Sequence, residues 1–174
     1  YTDGRDMPRL LVRSIDFEGP YYETWPPETH RRIMIDSEHK NDPPVYAREI
    51  LQSFATRAFR RPVTPEELNA IVSVWTSSFT TSKDFRQSIK DALVVVLTSP
   101  QFLFLIERSE GPAAEPLDAY ELASKLSYFL WNTLPDETLL AAAADGKLHE
   151  PTVLREQVER MLVDAKSERF CDDF

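Results

Sequence analysis

Cysteine and histidine are scarce in this chain: 174 residues contain one cysteine, Cys171, and three histidines. A lone cysteine excludes an internal disulfide, a CxxCH haem attachment and a multi-cysteine zinc site within the sequence. Glycine is nearly as rare, with 4 against 13 prolines, a ratio that opposes Gly-rich strand turns and favours short helices punctuated by proline. The longest apolar run, 92–97, falls far short of the ~18 residues that span a bilayer, so no membrane insertion is expected. Positive charge is in deficit too. A net charge of −9 and a pI near 4.9 oppose binding to phosphate backbones or anionic lipid through a general field, and nucleic acid is not an expected partner. The opening Tyr1-Thr2-Asp3-Gly4 has no signal-peptide pattern. The chain lacks a starting Met and breaks off just after an apparent helix start, so it reads as a fragment of a longer protein.

What is present supports a packed interior. Hydrophobic residues make up 42% and aromatics 11%, enough for one domain with a real core or two small ones. The organising stretch is 42–67. Asp42 caps a helix with Pro43 at its first position. Tyr46, Ala47, Ile50, Leu51, Phe54, Ala55, Ala58 and Phe59 then recur at helical period on one face. Arg57, Arg60 and Arg61 crowd the last turn, and Pro62 disfavours helical geometry at Arg61. Thr64 and Glu67 stand at capping-box spacing around Pro65, so a second helix follows in a hairpin over 43–79.

The remaining chain reads as follows. Residues 10–17 alternate enough for a strand, which needs either upstream partners or helices to lie on. Residues 21–27 form a proline-bound aromatic linker, and 28–35 a short helix. After a Ser/Thr-rich break, Ser82 caps a helix through Leu97 that is apolar almost all round and therefore central. Pro100 opens a short helix whose Phe102, Leu103 and Ile106 seal the bundle. Residues 109–116 mark a hinge. Beyond it, Asp118 and Glu121 open a helix to about Trp131 that buries Leu122, Ala123, Leu126, Phe129 and Leu130. Pro135 starts another helix that Gly146 ends, and Pro151 a third with Leu154, Val158, Met161 and Leu162 inward. The expected class is mainly α, a bundle of about eight helices in two subdomains after a short extended or β segment.

Candidate chemistry is thin. His30, Asp36, Glu38 and His39 are the one cluster of ligand-type side chains close in sequence, but their spacing fits no metal motif and a solvated connection explains them better. Arg57, Arg60 and Arg61 offer bidentate recognition of an anion, set against helix-end stabilisation and ion pairing to Glu66, Glu67 or Glu107. Tyr21, Tyr22 and Trp25 offer apolar faces to sugar rings, set against packing, which explains them better, whereas Trp75 lies on a core stripe. Carboxylate pairs at 136–137 and 172–173 suit helix starts, and Cys171 suits a small buried hydrophobe. No catalytic, cofactor or metal residues are assigned.

The segments YAREILQSFATRAFRRPVTPEEL, SPQFLFLIE, YELASKLSYFLWNTLPDETLLAAAADGKL and VERMLVDAKSERF together resemble planctomycete domains of unknown function found in large secreted proteins with cytochrome c-like modules. The resemblance runs from about Phe17 to the end and implies a first helical domain over 20–109, a linker over 110–116 and the start of a second domain over 117–174. Residues 1–19 resemble the end of a β-sandwich domain. The resemblance implies an extracytoplasmic home, haem c only in neighbouring modules, and neighbouring domains of the same polypeptide as partners. The expected role is a non-catalytic helical scaffold. Two alternatives stand beside it: part of a polysaccharide-acting enzyme completed by sequence outside this chain, and polysaccharide binding through the linker aromatics.

Overall fold

The computed structural model describes residues 13–107, 115–168 and 170. Among them the chain is helical: α1 Glu28–Arg31, α2 Pro43–Phe59, α3 Pro65–Ser82, α4 Phe85–Thr98, α5 Pro100–Leu103, α6 Ala119–Trp131, α7 Glu137–Ala144 and α8 Pro151–Val163, with single 3₁₀ turns at Lys147–His149 and Ala165–Ser167. The mainly α reading holds, but the expected extended or β segment carries no strand over 13–17. Ile15 and Phe17 are exposed there, so these side chains do not lie on the helices. Residues 10–12 lie outside the described residues, as do most of the hinge and Cys171, Asp172, Asp173 and Phe174.

The hairpin forms where its caps require. Asp42 accepts the Val45 N–H, and Thr64 and Glu67 complete a reciprocal capping box behind Pro65, which satisfies N–H groups that no helix can satisfy internally. α2 buries Tyr46, Ala47, Ile50, Leu51, Ala55, Ala58 and Phe59 against Leu68, Ile71 and Trp75 of α3 and Ile89, Ala92, Leu93 and Val96 of α4. Phe54, expected on this face, is only partly buried at its edge. Phe85 joins the aromatic side chains: it stacks on Tyr46 at 5.5 Å and meets Trp75 and Phe79 edge-on, arrangements suited to ring quadrupoles.

α3 runs past the expected break at Phe79 to Ser82. Thr76, Ser77, Thr80 and Thr81 each donate to the carbonyl four residues earlier, so their hydroxyls are satisfied within the helix. The next helix is consequently capped by Asp84, not Ser82, and Lys83 makes the turn with φ 55°. Ser88, fully buried, donates to the Asp84 carbonyl, and Ser78 bridges to both Ser88 and Asp91. This hydroxyl cluster clasps α3 to α4. α4 is not buried all round, as its hydrophobicity suggested: Val94, Val95 and Leu97 are exposed, because α2 and α3 cover only one of its sides.

A second apolar cluster comprises Ala123, Leu130 and Trp131 of α6, Leu139 and Ala143 of α7, Leu148 and Met161. Its registers differ from the expected ones at three places. Trp131 is fully buried while Phe129 is exposed, Leu162 is exposed beside buried Met161, and α7 starts at Glu137 behind the Asp136 cap, with Pro135 one residue outside it. Trp131 takes the interior place because its indole N–H donates to the Met161 carbonyl at 2.9 Å, which removes the cost of burying that donor.

Candidate functional site

α2 ends at Phe59, within two residues of the stop that Pro62 imposes at Arg61. Arg60 adopts the left-handed conformation, φ 59°, ψ 20°, and its N–H closes on the Arg57 carbonyl. That geometry usually falls to Gly or Asn, and a bulkier residue keeps it only where its surroundings hold it. Here the side chain supplies the hold. Arg60 is 4% exposed, and its two terminal nitrogens donate to the carbonyls of Ala58 and Phe102 at 3.2 Å and of Gln101 and Phe104 at 2.8 Å. The carbonyls at the end of a one-turn helix such as α5 have no helical partners, and a cation placed there satisfies them and meets the negative end of the helix dipole.

The same interaction explains why α5 does not continue. Phe104 turns to extended geometry, φ −121°, ψ 149°, and residues 104–107 follow without regular structure. Phe102 packs on the core as expected, but Leu103 and Ile106 are exposed. They do not seal the bundle.

The Arg60 guanidinium also lies over the ring of Tyr128 on α6, 5.8 Å from its centroid, and Lys125 of α6 pairs with Glu107 at 2.8 Å. These contacts join the two apolar clusters. Between them is a cleft of about 130 Å³ lined by Arg61, Glu67, Phe104, Glu107, Asp118 and Lys125, among others. Its charges are engaged. Arg61 forms a two-pronged pair with Glu67 at 2.9 and 2.7 Å, and this hydrogen bonding raises the arginine's already high pKa. Asp118 accepts the N–H groups of Tyr120 and Glu121 as the α6 cap.

The three arginines expected to form one anion site are thus divided. Arg57 donates to the Arg32 carbonyl at 2.8 Å, Arg60 serves carbonyls in the interior, and Arg61 serves Glu67. Of the acidic partners weighed for them, Glu67 takes Arg61 while Glu107 takes Lys125.

Tyr21, Tyr22 and Trp25 are all strongly exposed. Tyr22 and Trp25 sit with ring centroids 5.8 Å apart and planes 50° apart, and Tyr21 donates its hydroxyl to Glu18 at 2.8 Å, which raises its pKa. The ligand-type cluster does not converge: His39 Nδ1 meets Glu49 at 2.7 Å, Asp36 pairs with Lys40, and no group of three or more His, Cys, Asp or Glu suited to a metal occurs among the described residues.

Four carboxylates have pKa values displaced downward. Ser37 and His39 lower Glu49; Lys40 lowers Asp36; Ser78 and Gln87 lower Asp91. Burial works to raise the Asp136 carboxyl, yet the Arg160 hydrogen bond and the Leu139 N–H hold it below its ordinary value. Each of these four shifts is accounted for by the carboxylate's own hydrogen-bond partners.

One feature of the second cluster was not legible in advance. Arg160 grips Asp136 at 2.7 and 3.1 Å while lying 5.4 Å from the Trp131 ring centroid, and Lys166 stands 4.2 Å from the same centroid. The basic residues at 155, 160 and 166 carried no signal that separates ring partners from solvated charges.

Residues 46–107 match the family model described as PSD5, protein of unknown function (DUF1595). Residues 117–174 match the one described as PSD4, protein of unknown function (DUF1592). The chain is similar, segment by segment, to two domain families of unknown function. The DUF1595-like segment contains Arg60 and the carbonyls that it binds, and the DUF1592-like segment supplies Tyr128 and Lys125. No curated protein matches the chain. No solved structure matches it.

Proposed function

We propose that this chain is a non-catalytic helical scaffold within a larger exported protein, holding neighbouring modules in fixed relation. The carrying observation is Arg60. A guanidinium that gives both terminal nitrogens to backbone carbonyls and its face to Tyr128 fixes geometry and is withdrawn from ligands. The planctomycete setting, the extracytoplasmic location and the association with cytochrome c-like modules, with haem c confined to those modules, extend the proposal from the sequence resemblance. The partners are then neighbouring domains of one polypeptide.

The test is a structure of the full-length protein together with Glu107→Gln turnover measurements on candidate polysaccharides. The scaffold reading expects the two helical segments to hold one orientation against their neighbours, and no turnover that depends on Glu107. Carboxylates or a metal from elsewhere in the polypeptide converging on the 130 Å³ cleft, with turnover lost in the variant, would replace it by the polysaccharide-acting enzyme.

The exposed Tyr22–Trp25 pair supports a second reading, polysaccharide binding. Rings open on one face stack on sugars with little cost in side-chain order. Glycan binding lost on Trp25→Ala supports it, and binding that survives that substitution removes it.

A further inference from the structure

Beside α4 is a groove whose floor is apolar and whose rim is cationic. Ile33, Met34, Ile89 and Leu93 form the floor, and Arg86 and Lys90 stand on the rim within a cavity of about 240 Å³. Ile89 and Leu93 belong to the core, while Ile33 and Met34 pack against it from the segment after α1. That segment is held in place by Tyr46, which donates to the Ile35 carbonyl at 2.9 Å, and by Arg57, which donates to the Arg32 carbonyl. The groove is therefore preformed.

Its charge runs against that of the chain. In a molecule of net charge −9, Arg32, Lys40, Arg61, Lys125 and Arg160 all have carboxylate partners. Arg86 and Lys90, like Lys83 and Arg155, have none among the described residues, and of these four only Arg86 and Lys90 border an apolar cavity. The nearby acids are already engaged: Glu28 with Arg32, and Asp91 with Ser78 and Gln87. Four residues apart on a helix, the two rim side chains lie about 5–6 Å from one another at Cβ. They call for two carboxylates one helical turn apart.

Beyond the groove the apolar surface of α4 continues: Val94 and Leu97, 58% and 40% exposed, follow Lys90 and Leu93 at helical spacing. From residue 86 to 97 the ribbon is about 16 Å long at helical rise. A cavity of 240 Å³ is below the ~300–1,000 Å³ of ordinary small-ligand pockets, but it accommodates one or two large apolar side chains.

We infer that this groove docks an acidic amphipathic peptide segment, which inserts an apolar anchor between Ile33 and Leu93 and sets carboxylates against Arg86 and Lys90. The recognition is of the helix-in-groove kind, with anchors at helical spacing and charges at the edge. Carboxylates at the rim steer and orient the segment, and the anchor supplies the burial. The inference goes beyond the scaffold reading, since an enzyme module could carry the same groove; its test does not involve turnover or interdomain geometry.

A random 12-residue peptide-display library, selected on the whole chain, tests it. Enriched peptides are synthesised and titrated by fluorescence anisotropy against the wild type and the double variant Arg86→Glu/Lys90→Glu. Both side chains are exposed, so the variant should fold, as its circular dichroism and melting will show; if it does not, Arg86→Gln/Lys90→Gln takes its place. The expected result is enrichment of Leu, Ile, Met or Phe flanked by Asp or Glu, binding that weakens with salt, and at least tenfold weaker binding to the variant. Peptides that bind both proteins alike, or that are net basic, overturn the inference. So does a failed selection, whether or not dodecanoate binds the wild type saturably in its place; saturable, Arg86-dependent dodecanoate binding would assign the groove to small amphiphiles.

Discussion

Arg60 donates to the carbonyl oxygen of Phe104 across 2.8 Å, joining residues 44 apart in the chain from a site that is 4% exposed. Three further carbonyls share the same guanidinium. Removing it leaves one buried and three part-buried hydrogen bonds broken, and Arg60→Ala should cost about 2–4 kcal/mol on the scale of charged hydrogen bonds and broken networks. Arg60→Lys should recover little, because an ammonium cannot reproduce the planar fork. Chemical denaturation measures the cost. Faster amide exchange at 101–104 in both variants would identify the lost tie.

The hairpin core gives a graded set. Phe59→Ala removes a 7%-exposed ring and should cost about 3–5 kcal/mol, whereas partly buried Phe54→Ala should cost less. Trp75 stacks on Phe79 at 4.9 Å, but its buried indole N–H has no partner among the described residues. Trp75→Phe therefore loses volume while also removing an unbonded donor, and should cost less than Phe59→Ala. Exposed Glu66→Ala should cost well under ~1 kcal/mol. Denaturation midpoints in the order Phe59→Ala, Trp75→Phe, Glu66→Ala, lowest first, would bear out the assigned faces.

What the sequence could reveal was local. Asp42, Thr64 with Glu67, and Asp118 with Glu121 announce helix starts, because a cap satisfies N–H groups two or three residues away. The apolar stripe of α2 likewise follows from period alone. Arg60 could not be read this way, since its partners lie 41 to 44 residues away and a basic residue at a helix end fits a solvated role equally well. Trp131 does not share the α6 stripe that Phe129 fits: it lies on the side of Ser124 and Ser127, whose polarity hid that face, and its burial rests on the Met161 carbonyl, which is a tertiary fact. Exposed Val94, Val95 and Leu97 show the same limit, for hydrophobicity does not say which side a neighbour covers. Tyr21, Tyr22 and Trp25 were legible as an aromatic group in a linker, but neither their exposure nor the Tyr22–Trp25 pairing was.

Acid should weaken the second cluster through Asp136. Burial works to raise its carboxyl, but Arg160 and the Leu139 N–H hold it below the ordinary value of about 3.9. A group depressed in the folded state contributes stability that is fully present above its unfolded pKa and is lost as pH falls through its folded one. The contribution should thus be intact at neutral pH and disappear below about pH 4. Asp136→Asn, which keeps an acceptor for Leu139, should lower stability at pH 7 and flatten its fall on acidification. Parallel pH–stability curves for wild type and variant would show that Asp136 carries none of the acid-induced loss.

Two left-handed residues end helices in the second cluster, and they separate backbone strain from packing. Gly146 has φ 69°, and a Cβ added there would meet nothing within 4 Å, so Gly146→Ala tests conformation alone. It should cost about 1 kcal/mol, the usual penalty for an L side chain in this region. Asn132, at φ 49°, already bears that strain at the end of α6. Asn132→Gly relieves it but also frees the unfolded chain, and the two effects oppose one another. Its stability should remain within about 0.5 kcal/mol of the wild type. A loss at Gly146→Ala well above the strain value would mean that the turn into Lys147–His149, and with it the burial of Leu148, depends on more than the backbone angle.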